Sequence, residues 1–157
     1  MLTHERHNSQ FNTLKNYMKS YMKESVDFEH ETYQSGLLQA YAIEIAIKAQ
    51  RKAKPNSFGT LYWQFNDAWP AISWSSIDYY GRWKPLQFMA KRLYPDVAIF
   101  CQQSKVYVIN DKLYDVNALA IIKTITLAGK VIKNVEKTVN LKANEVQQIY
   151  NISDADF

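Results

Sequence analysis

The chain has 157 residues, a formal net charge of +4 and 47% hydrophobic residues. That is enough apolar material for one ordinary domain or for parts of two. The excess of Lys is spread along the chain, not gathered, which argues against nucleic acid as a partner. A single Cys, Cys101, excludes a disulfide framework and a Cys-based metal site. No apolar run approaches the ~20 residues of a membrane span, so no membrane partner is expected. The polar start "MLTHERHNSQ" carries no apolar signal core, and the expectation is a soluble chain or a soluble piece of a larger one.

The first elements read as helices. "SQFNTLKNYMKSYM" sets Phe11, Leu14, Met18 and Tyr21 at helical spacing, with Ser9 as N-cap. A stronger helix runs from near Asp27 to Ala53. It carries Tyr33, Leu37, Leu38, Tyr41, Ala42, Ile45, Ala46 and Ala49 in one broad apolar stripe. Lys48, Arg51, Lys52 and Lys54 suit its C-terminal end, and Pro55 stops it. "PNSFG" then reads as a turn.

Gly59 to Phe65, "GTLYWQF", reads as a strand apolar on both faces, as in a covered parallel sheet. The stretch "NDAWPAISWSSIDYYGRW" has no period and is too long for a tight turn, and loops of this length inside a domain usually serve a function. Pro85 is well placed in the first turn of a helix, "KPLQFMAKRLY", which ends before Pro95. This helix, strand, loop and helix form a fragment of an α/β architecture.

From Val97 the period switches to two. "VAIFCQ", "KVYVIN", "LYDVNALAIIKTITL", "VIKNVEKTVNL" and "EVQQIYNI" read as strands, with a hairpin at "AGK". An antiparallel immunoglobulin-like sandwich is expected. Such a sandwich needs about seven strands and ~100 residues, so this one reads as incomplete. Cys101 falls on one of its strands and is expected buried and inert.

Few motifs carry chemistry. His4 and His7 in "HERH" stand at i+3, where two metal-binding histidines on a helix need i+4, so no metal site and no cofactor are expected. His30, between Glu29 and Glu31, reads as a solvated side chain. Asn66-Asp67 directly follows the apolar strand, where α/β folds place their sites. Spacing alone leaves an Asx turn equally open. The four tryptophans, Trp63, Trp69, Trp74 and Trp83, all lie between Gly59 and Pro85. An indole beside Asn, Asp and Gln can stack on a pyranose face while its neighbours hydrogen-bond the hydroxyls. Trp74 and Trp83 are expected to fill space between helix and loop instead.

The runs "LYWQFNDAWP", "SWSSIDY" and "GRWK" together resemble the region around the eighth barrel strand of the β-mannosidases of glycoside hydrolase family 2. The similarity covers residues 1–95 well and 96–157 weakly. It implies that residues 1–95 are the last helix-strand-helix part of a (β/α)8 barrel and that 96–157 begin an immunoglobulin-like β-sandwich domain, an α/β plus all-β chain. It also implies a retaining exo-β-mannosidase acting on terminal β-D-mannosides, whose two catalytic glutamates lie about 5–5.5 Å apart. Both glutamates are expected upstream of Met1, on the remainder of a parent chain, because Glu5, Glu24, Glu29, Glu31 and Glu44 match neither. No catalytic residue is therefore assigned here. The substrate-binding residues implied are Trp63, Gln64, Asn66, Asp67 and Trp69, with Trp63 as floor of the sugar subsite and a non-proline cis bond at Trp63-Gln64 in a complete barrel. Two other readings are another family 2 exo-glycosidase, of β-galactosidase or β-glucuronidase type, and a non-catalytic carbohydrate-binding module.

Overall fold

A computed structural model describes residues 12–157. The expectations on His4, Glu5, His7, Ser9 and Phe11 lie outside the described residues. The elements, in order, are α1 (Asn12–Tyr21), α2 (Phe28–Lys52), α3 (Pro85–Leu93), β1 (Val97–Gln102), β2 (Lys105–Asn110), β3 (Val116–Ile125), β4 (Val131–Leu141) and β5 (Val146–Asn151). A short 3-10 turn, Asp154–Asp156, follows β5. The chain divides into two compact units. One comprises residues 12–47 with Thr60–Leu93, and the other Lys48–Gly59 with Tyr94–Phe157.

In the first unit, α2 starts where Asp27 caps it. The Asp27 carboxylate accepts hydrogen bonds from the His30 backbone N–H at 2.9 Å and from His30 Nδ1 at 2.7 Å. His30 is thus exposed, as expected, but engaged. The apolar stripe is present on α2, yet most of it faces solvent: Tyr33, Leu37, Tyr41 and Ile45 are exposed, and of that stripe only Leu38 is buried. Packing falls to a different line, Gly36, Ala40, Ile43 and Ile47, spaced by four, three and four residues. Gly36 lets α3 come close. A Cβ there would stand 3.2 Å from both Cγ and Cδ of Pro85. Leu86, Ala90 and Leu93 form the buried side of α3.

Residues 59–65, read above as a doubly covered strand, form no strand. Their only ladder-like contacts come just after, where Asn66 bridges Ile77 in parallel and Ile77 bridges Trp83 antiparallel. A strand is defined by a continuous ladder of hydrogen-bonded neighbours, and this segment has only a short contact at its end, where the Gln64 and Phe65 carbonyls accept from the Ser76 and Ile77 N–H groups. Exposure instead alternates along it. Leu61, Trp63 and Phe65 are exposed, while Tyr62 and Gln64 are half-buried. The segment is therefore apolar on both sides but covered on only one.

The second unit holds two antiparallel sheets, β1-β2-β5 and β3-β4. β1 and β2 pair from Val97↔Asn110 to Gln102↔Lys105, joined by Gln103 and Ser104, both with positive φ. That is the handedness a two-residue hairpin needs. The β3-β4 hairpin closes over Gly129, whose φ of 85° suits a residue without a Cβ. Val106, Val108, Ala120, Val139, Leu141 and Ile149 make one buried cluster drawn from both sheets. Cys101 is exposed, not buried. It alternates with buried Phe100 on the edge strand β1, so Phe100 takes the inward position.

Apart from Gln102 Oε1, which has no hydrogen-bond partner among the described residues, the buried polar side chains in this unit are paired. The Asn110 amide nitrogen donates to the carbonyls of Tyr114 at 2.9 Å and Lys142 at 2.8 Å, and its amide oxygen accepts from the Lys112 N–H at 3.0 Å. One side chain thereby fixes both the turn after β2 and the turn before β5. Asp156, also buried, accepts from Lys133, Tyr150 and the Ser153 N–H, in that order of effect. These bonds hold its carboxyl far below the usual carboxylate range.

The tryptophan loop as candidate functional site

The loop after residue 65 folds back on its own start. The Ser76 and Ile77 N–H groups donate to the Phe65 carbonyl at 3.2 and 2.9 Å, the Asp67 N–H donates to the Ile77 carbonyl at 3.2 Å, and the Lys84 N–H donates to the Ser76 carbonyl at 2.9 Å. Three stretches, near Phe65, Ser76 and Lys84, therefore run side by side. Their inner positions are small and polar, with Ser75 and Ser76 completely buried. Tyr62 anchors the near side: its hydroxyl lies 2.9 Å from Ser76 Oγ and 3.3 Å from Gln87 Oε1 on α3.

Asp67 sits at the centre, only 6% exposed. Its Oδ1 accepts from the Ser73 hydroxyl, and its Oδ2 accepts from Ser75 Oγ at 2.6 Å and from Lys84 Nζ at 3.0 Å. Lys84 Nζ also donates to Ser75 Oγ at 2.6 Å. Burial pushes the Asp67 carboxyl up. Hydrogen bonds from Ser73 and Ser75, then from Lys84 together with its charge, outweigh burial and hold it below its ordinary value. The carboxylate is thus ionised and fully engaged within the loop. Sequence reasoning missed Ser73, Ser75 and Lys84. The available signal was the Ser-x-Ser spacing, which sets two hydroxyls on one side of an extended stretch opposite the Asp.

The outer positions carry the indoles. Trp63 is 73% exposed, and Trp69, Trp74 and Trp83 are exposed as well. Trp74 and Trp83, expected as filling, are on the surface. A Gln39 side chain from α2 donates to the Trp74 carbonyl at 2.9 Å, so the backbone is held while the indole stays out. Trp83 meets Phe88 edge-on, with ring centroids 5.1 Å apart. Gln64 Nε2 donates to the Asn66 carbonyl at 2.9 Å, and Asn66 itself is exposed. The peptide Trp63-Gln64 is cis. At the far end, Asp78 accepts the Tyr80 and Arg82 N–H groups, both at 2.9 Å, around Gly81 at φ 80°. Of the five residues read as substrate-binding, Trp63, Asn66 and Trp69 present themselves to solvent, Gln64 is half-buried and Asp67 faces inward.

Glu29, Glu31 and Glu44 all lie on α2, and Glu24 lies between α1 and α2. Among the described residues, no group of three His, Cys, Asp or Glu side chains could hold a metal ion.

The Mannosidase Ig/CBM-like domain family matches residues 102–157. The sequence is 35% identical to a goat (Capra hircus) β-mannosidase over 43% of this chain and 8% of that protein. It is 35% identical to β-mannosidase A of Aspergillus terreus over 51% of this chain and 9% of that protein. A crystal structure of a β-D-mannosidase from Dictyoglomus thermophilum superposes on 99% of this chain and 20% of its own, with a TM-score of 0.79 and 28% identity. The chain is homologous to a part of the β-mannosidases. Those enzymes are glycoside hydrolases, and this chain spans less than a tenth of the length of the two curated β-mannosidases it matches. An exo-chitosanase from Amycolatopsis orientalis shares the fold, with a TM-score of 0.79 over 94% of this chain and 19% of its own, at 17% identity.

Proposed function

We propose that this chain contributes the rim and floor of a sugar subsite to a retaining exo-β-mannosidase that hydrolyses terminal β-D-mannosides. Residues 1–95 take the place of the last helix-strand-helix part of a (β/α)8 barrel, and residues 96–157 that of the opening strands of an immunoglobulin-like sandwich. The observation that carries this reading is the superposition of nearly the whole chain on a β-D-mannosidase, at 28% identity. The exposed indole of Trp63 supports the rest: a flat apolar face in solvent is what a pyranose stacks on. Asn66, Gln64 and Trp69 are its polar and aromatic surroundings. The two glutamates that retaining hydrolysis needs come from other parts of the enzyme.

Two assays test this. A longer protein carrying this segment hydrolyses an aryl β-mannoside, and the 157-residue chain binds manno-oligosaccharide but shows no turnover above a mock preparation. Clear hydrolysis by the 157-residue chain alone overturns the assignment of the chemistry to other parts. Absence of β-mannoside turnover by the longer protein overturns the substrate.

A further inference from the structure

The loop between Asp67 and Lys84 has little regular structure, yet its two ends meet. Lys84 Nζ reaches Asp67 Oδ2 at 3.0 Å, across seventeen residues, and touches Ser75 at 2.6 Å and Ser73 at 3.3 Å. Lys84 directly precedes Pro85, the first residue of α3. Asp67 follows Trp63 by four residues. The contact thus joins the segment bearing Trp63 to the start of a helix, and Trp69, Trp74 and the Asp78–Arg82 turn all lie in the span it closes. A loop of this length has many conformations to lose, and a charge-assisted contact out of water is the strong kind of closure.

We propose that Asp67 and Lys84 are positioning residues: their contact fixes the rim loop, and with it Trp69 and Trp74, relative to Trp63, and neither side chain touches the sugar. The inference rests on the sugar-subsite reading for its function, but not for its geometry. Asp67 has no carboxylate oxygen to spare, since Oδ1 is taken by Ser73 and Oδ2 by Ser75 and Lys84. A carboxylate that already accepts three hydrogen bonds gains little by exchanging a partner for a hydroxyl.

The test compares Asp67→Asn, Lys84→Met and the double variant with the parent 157-residue chain, reading the four indole N–H signals by NMR. The two single variants shift the Trp69 and Trp74 signals, the double variant shifts them no further than either single, and Lys84→Arg restores much of the parent spectrum. Additive shifts in the double variant overturn the clamp, as do unmoved indoles in a folded Asp67→Asn chain. In the longer protein, Lys84→Met raises KM for a β-mannoside by about ten-fold or more, because misplaced binding groups are costly to recognition. If the indoles move with the coupling described while β-mannoside kinetics stay unchanged in Lys84→Met and in Trp63→Ala, the clamp stands and the sugar reading fails.

Discussion

Arg51 Nη2 stands 2.6 Å from Oδ2 of Asp111, sixty residues further along the chain. Lys54 bonds the other carboxylate oxygen of Asp111, and both cationic side chains are almost inaccessible to water. The carbonyls of Pro95 and Asn110 take further donors from Arg51 and Lys54, at 2.9 and 3.2 Å. Removing the shared anion takes a carboxylate partner from two buried cations at once. Breaking a buried pair this way costs about 3–5 kcal/mol, and with Asp111 partly open to water the lower end applies. Asp111→Ala should therefore destabilise the second unit by about 3 kcal/mol, measured as lost hydrogen-exchange protection in β1 and β2. A loss under about 1 kcal/mol would mean the carbonyls suffice.

Asn110 invites a sharper comparison. Asn110→Ala orphans the Tyr114 and Lys142 carbonyls and the Lys112 N–H at once. Each buried orphan costs about 1–3 kcal/mol, and some will find water, so a total of about 3 kcal/mol is expected. Asn110→Leu keeps the branched shape, with somewhat more bulk, but not the partners, and should be no better. If urea unfolding shows Asn110→Leu as stable as the parent, packing alone holds the two turns.

Asp67 predicts the response to acid. Its folded-state carboxyl lies below the ordinary 3.8, so it stabilises the fold above that value. That contribution is lost as pH falls through the lower, folded value. All four tryptophans lie in the first unit, so indole emission reports this unit alone. Emission-monitored stability of the parent should fall between about pH 5 and pH 2, and Asp67→Asn, already weakened at neutral pH, should show a flatter dependence. Equal slopes would show that other carboxyls set the acid limit.

Gly36 sets a helix preference against a contact. Ala is favoured over Gly inside a helix by about 0.8–1 kcal/mol. Its Cβ would stand 3.2 Å from two atoms of the stiff Pro85 ring, tighter than ordinary contact, so the two effects should nearly cancel. Gly36→Ala is expected within about 1 kcal/mol of the parent, and Gly36→Leu to lose about 1–3 kcal/mol through overpacking. Thermal melting of both variants, followed by indole emission, decides it.

The two extreme tryptophans should separate in a longer protein that hydrolyses a β-mannoside. Trp63→Ala loses a stacking face worth on the order of 1–3 kcal/mol on other ring ligands, so kcat/KM should fall by roughly five- to 150-fold. Trp83 is surface-exposed and packs edge-on against Phe88. Trp83→Ala should cost roughly 1–2 kcal/mol of stability, less than a fully buried Trp would, with kinetics largely kept. Full activity in Trp63→Ala would return that indole to a packing role.

The second unit was the more readable half. β1, β2 and β4 run over the very residues marked by period-two alternation, because in a sheet with one buried face each inward position needs an apolar side chain. Phe100 and Cys101 show the limit of that signal. Both are apolar enough to be the inward one, and only the packed sheet chooses. Residues 59–65 failed for a different reason. Their composition suits a strand, but strand formation depends on a neighbour, which a local sequence window does not contain. In the loop, the aromatic residues drew notice and the serines did not. Yet Ser73, Ser75 and Lys84 order the loop, through contacts between positions that carry no periodic signal.

Leu61 is 98% exposed, at the head of the alternating Leu61, Trp63, Phe65 row. An extended apolar row without a ladder is an invitation to a strand from another molecule, and concentrated solutions of the chain should cloud for that reason. The same exposure makes Leu61 the cheapest place to intervene. A lysine there displaces no buried atom and puts a charge where an incoming strand would lie, so Leu61→Lys should raise the concentration at which light scattering begins while the melting temperature stays put.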